Sequence, residues 1–482
     1  DGIDNNGASE PDITIDTEGG IDVSMYEKAR IFPGLVDTAK EERINATIEL
    51  DLNKQYIDSI TLGVSKVPQP IYSTGLYAGA GEQVAITVED NTMGLSVIVG
   101  SHMDDLTELA PYQRMPLVYV AKALFPGKNI IKNPLGGPIW IKKSLGLKAS
   151  GTCSLKIEGV YKSPDFVIGE TDLQDWKRRI SETTVPWLEI RGKHFAFTVQ
   201  KDRVLDNLES ISSTLQEVGK EWDEAIEEFF FEYYGLKIDK DAEEKERAPE
   251  FPFRVVLDVQ VLGNLYLRNS DYAIVAINNT YMLEEMLNLR TLRIGNSVAL
   301  LSAINSMCTY RSRNNPWPAD YRAVANAIPL YRIGKKNFSK ENAFGEIFPG
   351  EENITTLFPK AIEYAMADSS KWAKEDAATK YDDKTAYKAF DLLSLIQLAN
   401  YDDNNWEAMK YLNLKAKEER SIDNSTLSYA FRMLCDYFKQ NLCPFFDYWG
   451  VEQLDEDRKY AEQYPLMDKK ICLLYTSDAA DE

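Results

Sequence analysis

Between Ile44 and Tyr161 apolar residues either alternate with polar ones or fall in short runs: Ile48–Leu52, Val84–Val88, Leu95–Val99, Leu117–Val120, Ile139–Ile141 and Leu155–Tyr161. Gly, Pro and Asn punctuate them at Gly79–Gly81, Pro126–Gly127 and Asn133–Gly137. Alternation puts successive side chains on opposite faces of an extended chain, so short strands between turn signals predict a β-sandwich. Residues 165–291 mix two periods. Thr171 with Gln174 has the form of a capping box opening a short helix through Ile180. Leu188–Ile190 and Phe195–Val199 flank Arg191-Gly192-Lys193 as a hairpin. Leu208, Ile211, Leu215, Val218, Trp222, Ile226, Phe229 and Tyr233 recur at steps of three or four. That spacing predicts one amphipathic helix of about seven turns, ended by Gly235. Asp239–Arg247 reads as a charged loop, and Arg254–Val261 and Ala273–Ile277 as buried strands.

From Asn296 the pattern turns helical, with predicted helices at Asn296–Tyr310, Ala319–Tyr331, Ile354–Ala367, Thr385–Asn400, Trp406–Ala416 and Ser425–Gln440. No internal repeat is present. Strands first, a mixed segment next and helices last predict an α+β chain: a β-sandwich, then an α+β domain with a mostly helical C-terminal part. The expected parts are a leader and lead-in (1–43), the sandwich (44–165), the α+β domain (166–350) and a helical subdomain (351–470). Residues 1–20 hold almost no large apolar side chain, a composition that cannot offset chain entropy and reads as a flexible tether. The stretch Cys472–Glu482 reads CLLYTSDAADE, which resembles translated sequencing adapter. Residues 471–482 are therefore given no role.

Composition narrows the functions. With 44% apolar residues the chain is able to bury real cores. A net charge of −22 argues against nucleic acid and against docking on anionic lipid. No apolar run reaches the roughly 20 residues that span a bilayer. The sequence starts at Asp1 without Met or an apolar leader, so any signal segment is expected to have been removed or left out. The five cysteines form no CxxC pair. Cys435 and Cys443 would pair only across a bend, and buried thiols are expected for most.

Several segments, taken in order, carry a family resemblance: Thr74–Glu82 (TGLYAGAGE), Val97–Leu106 (VIVGSHMDDL), Asn133–Ile141 (NPLGGPIWI), Pro186–Glu189 (PWLE), and Phe390–Leu398 with Trp406 and Asn441–Gly450 (NLCPFFDYWG). Over roughly residues 70–450 the chain resembles the enhancin-like, mucin-directed metallopeptidases of peptidase family M-sixty, of the gluzincin type. The resemblance implies a gluzincin-like fold, zinc as cofactor, and an extracellular or cell-surface protein of a host-associated bacterium acting on O-glycosylated, mucin-type proteins. A monomer is expected.

A gluzincin carries HExxH on a helix: two His at i and i+4 bind zinc, and the Glu between them activates water. This chain has two histidines, His102 and His194, which are far apart. The equivalent stretch is Gly295–Asn305. Anchored on Gly295, the first His falls on Val298, the Glu on Ala299 and the second His on Ser302. The third ligand falls on Ala323, or on Arg322 with a one-residue shift. From Thr291 to Gly334 there is no His and no Glu, Asp320 is the only acid, and Arg293, Arg311, Arg313, Arg322 and Arg332 are present. A dication needs anionic or imidazole ligands, so no metal, no cofactor and no catalytic residue is predicted.

His102 stands where the family segment also has His and reads as structural, and His194 as exposed or packed. Ser302 and Cys308 lack a nearby base and read as packing. Asp104-Asp105 reads as a capped turn rather than a calcium site. Glu341 and Glu346 offer a carboxylate pair on their presence alone. The arginines are either surface groups paired with acids, or a site in which Arg322, with Arg311, Trp317 and Asn305, takes a sialylated or sulfated glycan. Trp317, Trp406, Tyr448 and Trp449 are either sugar-stacking rings or core. Three functions remain: a non-cleaving binder of O-glycosylated protein, an active zinc peptidase whose ligands lie elsewhere, and a surface protein without ligand.

Overall fold

The structure is a computed structural model and describes residues 29, 31–88, 92–107, 112–147, 150–261, 267–293, 298–337, 384–401, 406–449 and 451–467. The leader residues 1–20, the predicted helix Ile354–Ala367, Glu341, Glu346, Gly295 and the tail from Cys472 lie outside them. The chain forms two compact units. The first takes residues up to Tyr56, Pro68–Asp223 and Pro249–Leu289. The second takes Ile57–Val67, Glu224–Ala248 and Arg290 onward. The expected boundary at residue 165 falls inside the first unit.

That unit begins with an antiparallel sheet in two halves. Strands β1 (Ile44–Asp51), β2 (Ile71–Ala78), β3 (Gln83–Val88), β4 (Leu95–Val99), β5 (Val120–Leu124), β6 (Gly127–Lys132), β7 (Gly137–Lys143) and β8 (Thr152–Lys162) run in the orders β1-β8-β3-β6 and β5-β4-β7-β2. The long β8 turns the corner between them, pairing with β2 at Leu76 and Tyr77. Leu50, Val84, Ile86, Leu155 and Ile157 of one half meet Leu76, Leu95, Val97, Val99, Ile139 and Ile141 of the other in one core. One predicted boundary moves and one strand is new. The strand expected at Leu117–Val120 starts at Val120, because pairing with β4 begins there and Leu117 is exposed. β6 was missed because its sequence, GKNIIK, is mostly polar and borders a turn.

The resembling segments are explained by backbone contact. Asn133 Nδ2 donates to the carbonyls of Val99 (2.8 Å), Val118 (3.2 Å) and Gly136 (3.0 Å), and its Oδ1 accepts from Leu135 N (3.0 Å). Gly136 and Gly137 follow with φ of +71° and +134°. A Cβ on Gly136 would lie 2.4 Å from Ala78 O, and one on Gly137 2.7 Å from Gly100 Cα. Only glycine tolerates both the dihedrals and the approach. The three segments are thus one clasp, made of turn residues.

A second, mixed sheet follows in the order β13-β14-β12-β11-β10-β9, from β9 (Phe166–Val167), β10 (Trp187–Arg191), β11 (Phe195–Gln200), β12 (Phe253–Asp258), β13 (Leu267–Asn269) and β14 (Ile274–Ile277). The β10–β11 hairpin forms as predicted. Helix α1 (Leu173–Glu182) is capped by Asp172, whose carboxylate accepts from Asp175 N at 2.8 Å. Thr171 is not the cap: its hydroxyl accepts from Val167 N instead. The two sheets pack through Ile71, Ile98 and Trp140 against Val256, Ala273 and Val275. Hence β7 is apolar on both faces.

At that junction lies a buried ionic network. Arg254 Nη1 donates to Glu189 Oε1 at 2.7 Å, while its Nη2 reaches Ile71 O (3.0 Å) and Ser73 Oγ (2.8 Å). Trp140 Nε1 donates to the same Glu189 oxygen at 3.0 Å, and the Arg254 guanidinium stacks over the Trp140 ring. Asp165 adds an ion pair to Arg191 and accepts from Glu189 N. Burial holds the Asp165 carboxyl above its usual value despite Arg191.

The helix predicted over Leu208–Tyr233 is three pieces: α3 (Leu208–Ser212), α4 (Leu215–Glu224) and a π-helix (Ala225–Phe231), with α2 (Lys201–Asp206) ahead of them. Ser213 breaks the first junction by turning its hydroxyl back to Ser210 O. The π turn accommodates Phe229, Phe230 and Phe231, all buried, which a single helical stripe cannot bury together. Helices α5 (Thr280–Leu287) and α6 (Leu289–Arg293) follow.

The second unit holds α7 (Val298–Cys308), α8 (Ala319–Asn337, running through Pro329), α9 (Lys384–Asn400), α10 (Glu407–Glu418), α11 (Ser428–Phe438), α12 (Cys443–Tyr448) and α13 (Asp455–Ala461). α7 to α11 fall on five of the predicted helices, α8 running on to Asn337, whereas α12 and α13 were not predicted. Cys153, Cys308, Cys435 and Cys443 are buried free thiols, so Cys435 and Cys443 do not pair.

Breaking the ionic network from one side leaves a charge buried alone. Glu189→Leu is expected to cost about 3–5 kcal/mol in denaturant unfolding, and the double change with Arg254→Met to recover most of it. Equal losses in the single and double variants would refute this account.

Candidate functional site

The stretch aligned with the zinc helix is α7, whose sequence VALLSAINSMC is almost wholly apolar. Leu300, Leu301, Ile304 and Cys308 are buried. Ala299 and Ser302 are half-buried, and the Ser302 hydroxyl is buried with no hydrogen-bond partner among the described residues. On α8, Ala323 is exposed and Arg322 half-buried. Two methyls and a neutral hydroxyl do not fit a zinc ion, and Arg322 in the third-ligand position opposes one. Among the described residues no three His, Cys, Asp or Glu side chains are grouped to hold a metal.

A polar seam joins the helices around these positions. Asn305 Nδ2 donates to Asn326 O at 2.7 Å, tying α7 to α8, and Asn305 Oδ1 accepts from the Tyr234 hydroxyl at 3.1 Å. Arg322 Nε donates to Trp317 O at 3.2 Å. Trp317 stacks on Tyr321 with centroids 6.1 Å apart. Tyr321 faces Asp391 of α9: burial first, then that carboxylate, raises its phenol well above the ordinary value. Asp391 was not singled out from sequence, although a lone acid inside the apolar run FDLLSLIQLA was the available signal.

The arginines do not share one role. Arg332 is buried, over the rings of Phe229 (5.2 Å) and Trp406 (5.9 Å), and burial lowers its pKa. Arg313 is exposed and Arg311 half-buried. Trp317, Trp406 and Trp449 are 2%, 5% and 0% exposed, so these rings belong to the core and offer no open face for a sugar. Tyr448 is half-buried and packs edge-on against Trp449.

The remaining candidates are structural. His102 is buried, with Nε2 2.8 Å from Leu257 O and Nδ1 3.1 Å from Ser101 Oγ, between the rings of Phe32 and Trp187. Burial lowers its pKa. His194 is buried, and its backbone N–H donates to Asp223. Asp105 accepts from the Thr107 N–H and hydroxyl, closing a turn, and Asp104 pairs with Arg114 at 3.6 Å. The Cys308 thiol is pushed far up by burial, which removes it as a nucleophile.

The model for the N-terminal domain of M60-like peptidases matches residues 41–157, and that for peptidase M60, enhancin and enhancin-like matches residues 159–294. Together they cover just over half of the chain, which belongs to this M60-like, enhancin-type peptidase family. The second match ends ahead of α7. Human TRPM8 channel-associated factor 2 is 27% identical over 195 residues, which is 39% of this chain. The chain spans only 19% of that relative's length. A functionally unknown conserved protein of Bacillus anthracis (a mutant form) superposes with a TM-score of 0.66 at 19% identity, over 89% of this chain and 81% of the other. The M60 catalytic domain of Clostridium perfringens ZmpC, solved with the sialyl T antigen, superposes with a TM-score of 0.61 at 15% identity, over 88% and 81%. These likenesses show the shared α+β fold.

One buried group has a measurable effect. The Lys417 amine has no hydrogen-bond partner among the described residues, and burial pushes its pKa down to about 7, opposed by Cys308 and Glu246. Its ordinary value is 10.5, so between these two values the unfolded chain holds a proton that the folded chain lacks. Lys417 therefore contributes stability that rises with pH from about 7 to 10.5, opposed above about 9 by the buried Cys308 thiol, which keeps its proton in the folded chain. Lys417→Met is expected to flatten that rise and to raise Tm at pH 7 by roughly 2–4 °C or more. Thermal melts across this range test it. An unchanged slope in the variant would rule it out.

Proposed function

We propose that this chain is a non-hydrolytic member of the family that binds mucin-type, O-glycosylated protein in the region where the resemblance places the metal. The observation that carries this reading is the donor set: Val298, Ala299, Ser302 and Ala323 stand in the ligand and base positions, and the chain's two histidines are both packed in the other unit. Water activation by a metal needs ligands that these positions do not supply. Of the sequence-derived binding residues, Arg322 and Arg311 are the half-exposed cations open to a sialylated or sulfated sugar, whereas Trp317, whose carbonyl holds Arg322, and Asn305 are buried. The sialyl T antigen in the ZmpC structure supports a glycan of this class. Action at a cell surface or outside the cell is part of the same proposal.

Metal content after zinc exposure and removal of loose ions tests the first half. We expect less than about a tenth of an equivalent per chain. About one equivalent, with mucin cleavage that stops on chelation, would overturn the reading. For the second half, a sialylated mucin-type glycoprotein is expected to bind, and Arg322→Ala to weaken it about tenfold, or ~1.4 kcal/mol. No binding by the parent protein would leave a surface protein without ligand.

A further inference from the structure

The net charge of −22 conceals a segregated basic face. Residues 122–162 contain eight lysines, no arginine and one acid, Glu158. Topology collects part of this segment on the solvent side of the first sheet. On β6, Lys128, Ile130 and Lys132 point outward and alternate with buried Asn129 and Ile131. Lys128 pairs across to Thr87 of β3, and Thr87 to Lys156 of β8. Ile130, Ala85 and Glu158 form the next row, and Lys132 with Gln83 the one beyond. Lys122, exposed on β5, reaches over to donate to Ile130 O at 2.7 Å. Lys128 and Lys156 are therefore about 10 Å apart across the strands, and Lys128 and Lys132 ~13 Å apart along β6. Glu158 lies 3.7 Å from Lys128 and 3.3 Å from Lys156, so one carboxylate is shared by two cations. The acids Glu49 and Asp51 bound the face on β1.

We propose that this face binds an anionic glycan chain, sulfated or sialylated, as a site separate from the α7–α8 region. Three observations favour it. The cations lie in rows on a sheet rather than on one mobile loop, so a linear polyanion meets several at once. Thr87 and Gln83, between and beside the lysines, offer hydrogen-bonding groups to sugar hydroxyls. Phe125, 55% exposed at the β5–β6 turn, presents an apolar surface to a sugar ring at the end of the rows. An anionic membrane is disfavoured by shape. A plane must cover Glu49 and Asp51 of β1 together with the lysines, whereas a slender chain can follow the lysine-bearing strands within a Debye length of about 8 Å.

The test is surface binding of the full chain to an immobilised sulfated glycosaminoglycan between low and physiological salt. Binding that falls steeply with salt is expected, and the Lys128→Glu/Lys132→Glu double variant should weaken it about tenfold or more. A control pair on exposed helical lysines, Lys220→Glu/Lys459→Glu, makes the same change in net charge and should leave binding unchanged. Circular dichroism and Tm confirm that both variants fold. The proposal is overturned if the parent protein does not bind, if both pairs weaken binding equally, or if phosphatidylserine vesicles bind while the glycan does not. Because these lysines are remote in sequence from Arg322 and need no metal site, loss of the first reading would not touch this result.

Discussion

The pairing of Arg254 with Glu189 is the constraint on which the first unit depends. A guanidinium and a carboxylate are removed from water between two sheets and held by fixed partners, namely Ile71 O, Ser73 Oγ, Trp140 Nε1 and the Trp140 ring, with Arg254 Nε alone of its nitrogens lacking a hydrogen bond among the described residues. Burial lowers the Arg254 pKa and Glu189 opposes it, as expected for ions held together by geometry rather than by water. Apolar packing alone would let one sheet slide over the other. A charge with fixed partners on β2, β7 and β10 permits one register, so the network specifies the arrangement more than it stabilises it.

The elements legible in the sequence were those whose burial is one-sided. β1 alternates cleanly because one face meets water, and the helices of the second unit announced themselves by three- and four-residue steps. Legibility failed where local chemistry competed with the pattern. The period from Leu208 to Tyr233 continued unbroken, but Ser213 and the run of three phenylalanines divided the helix. At α1 two residues able to cap stood side by side, and Asp172, not Thr171, took the N–H of Asp175.

At the candidate site, the absence of His and Glu between Thr291 and Gly334 was readable from sequence, whereas the packing around it was not. That Val298, Ala299 and Ser302 supply no metal donor follows from their side chains. That Trp317 and Trp406 are interior, and that Arg332 lies beneath rings while Arg313 faces solvent, depends on tertiary packing that no spacing encodes. The charge total likewise hides where the charges lie. A sum over the chain has no position, and strand pairing alone brings Lys128 and Lys156 to either side of Thr87.

The buried thiols give each unit its own reporter. Cys153 sits at zero exposure in the sandwich core, whereas Cys308, Cys435 and Cys443 are enclosed by the helices of the second unit. A thiol reagent that reads Cys153 apart from the other three would follow the opening of the sandwich separately from that of the helical unit. The order in which they become reactive would then reveal which unit loosens first.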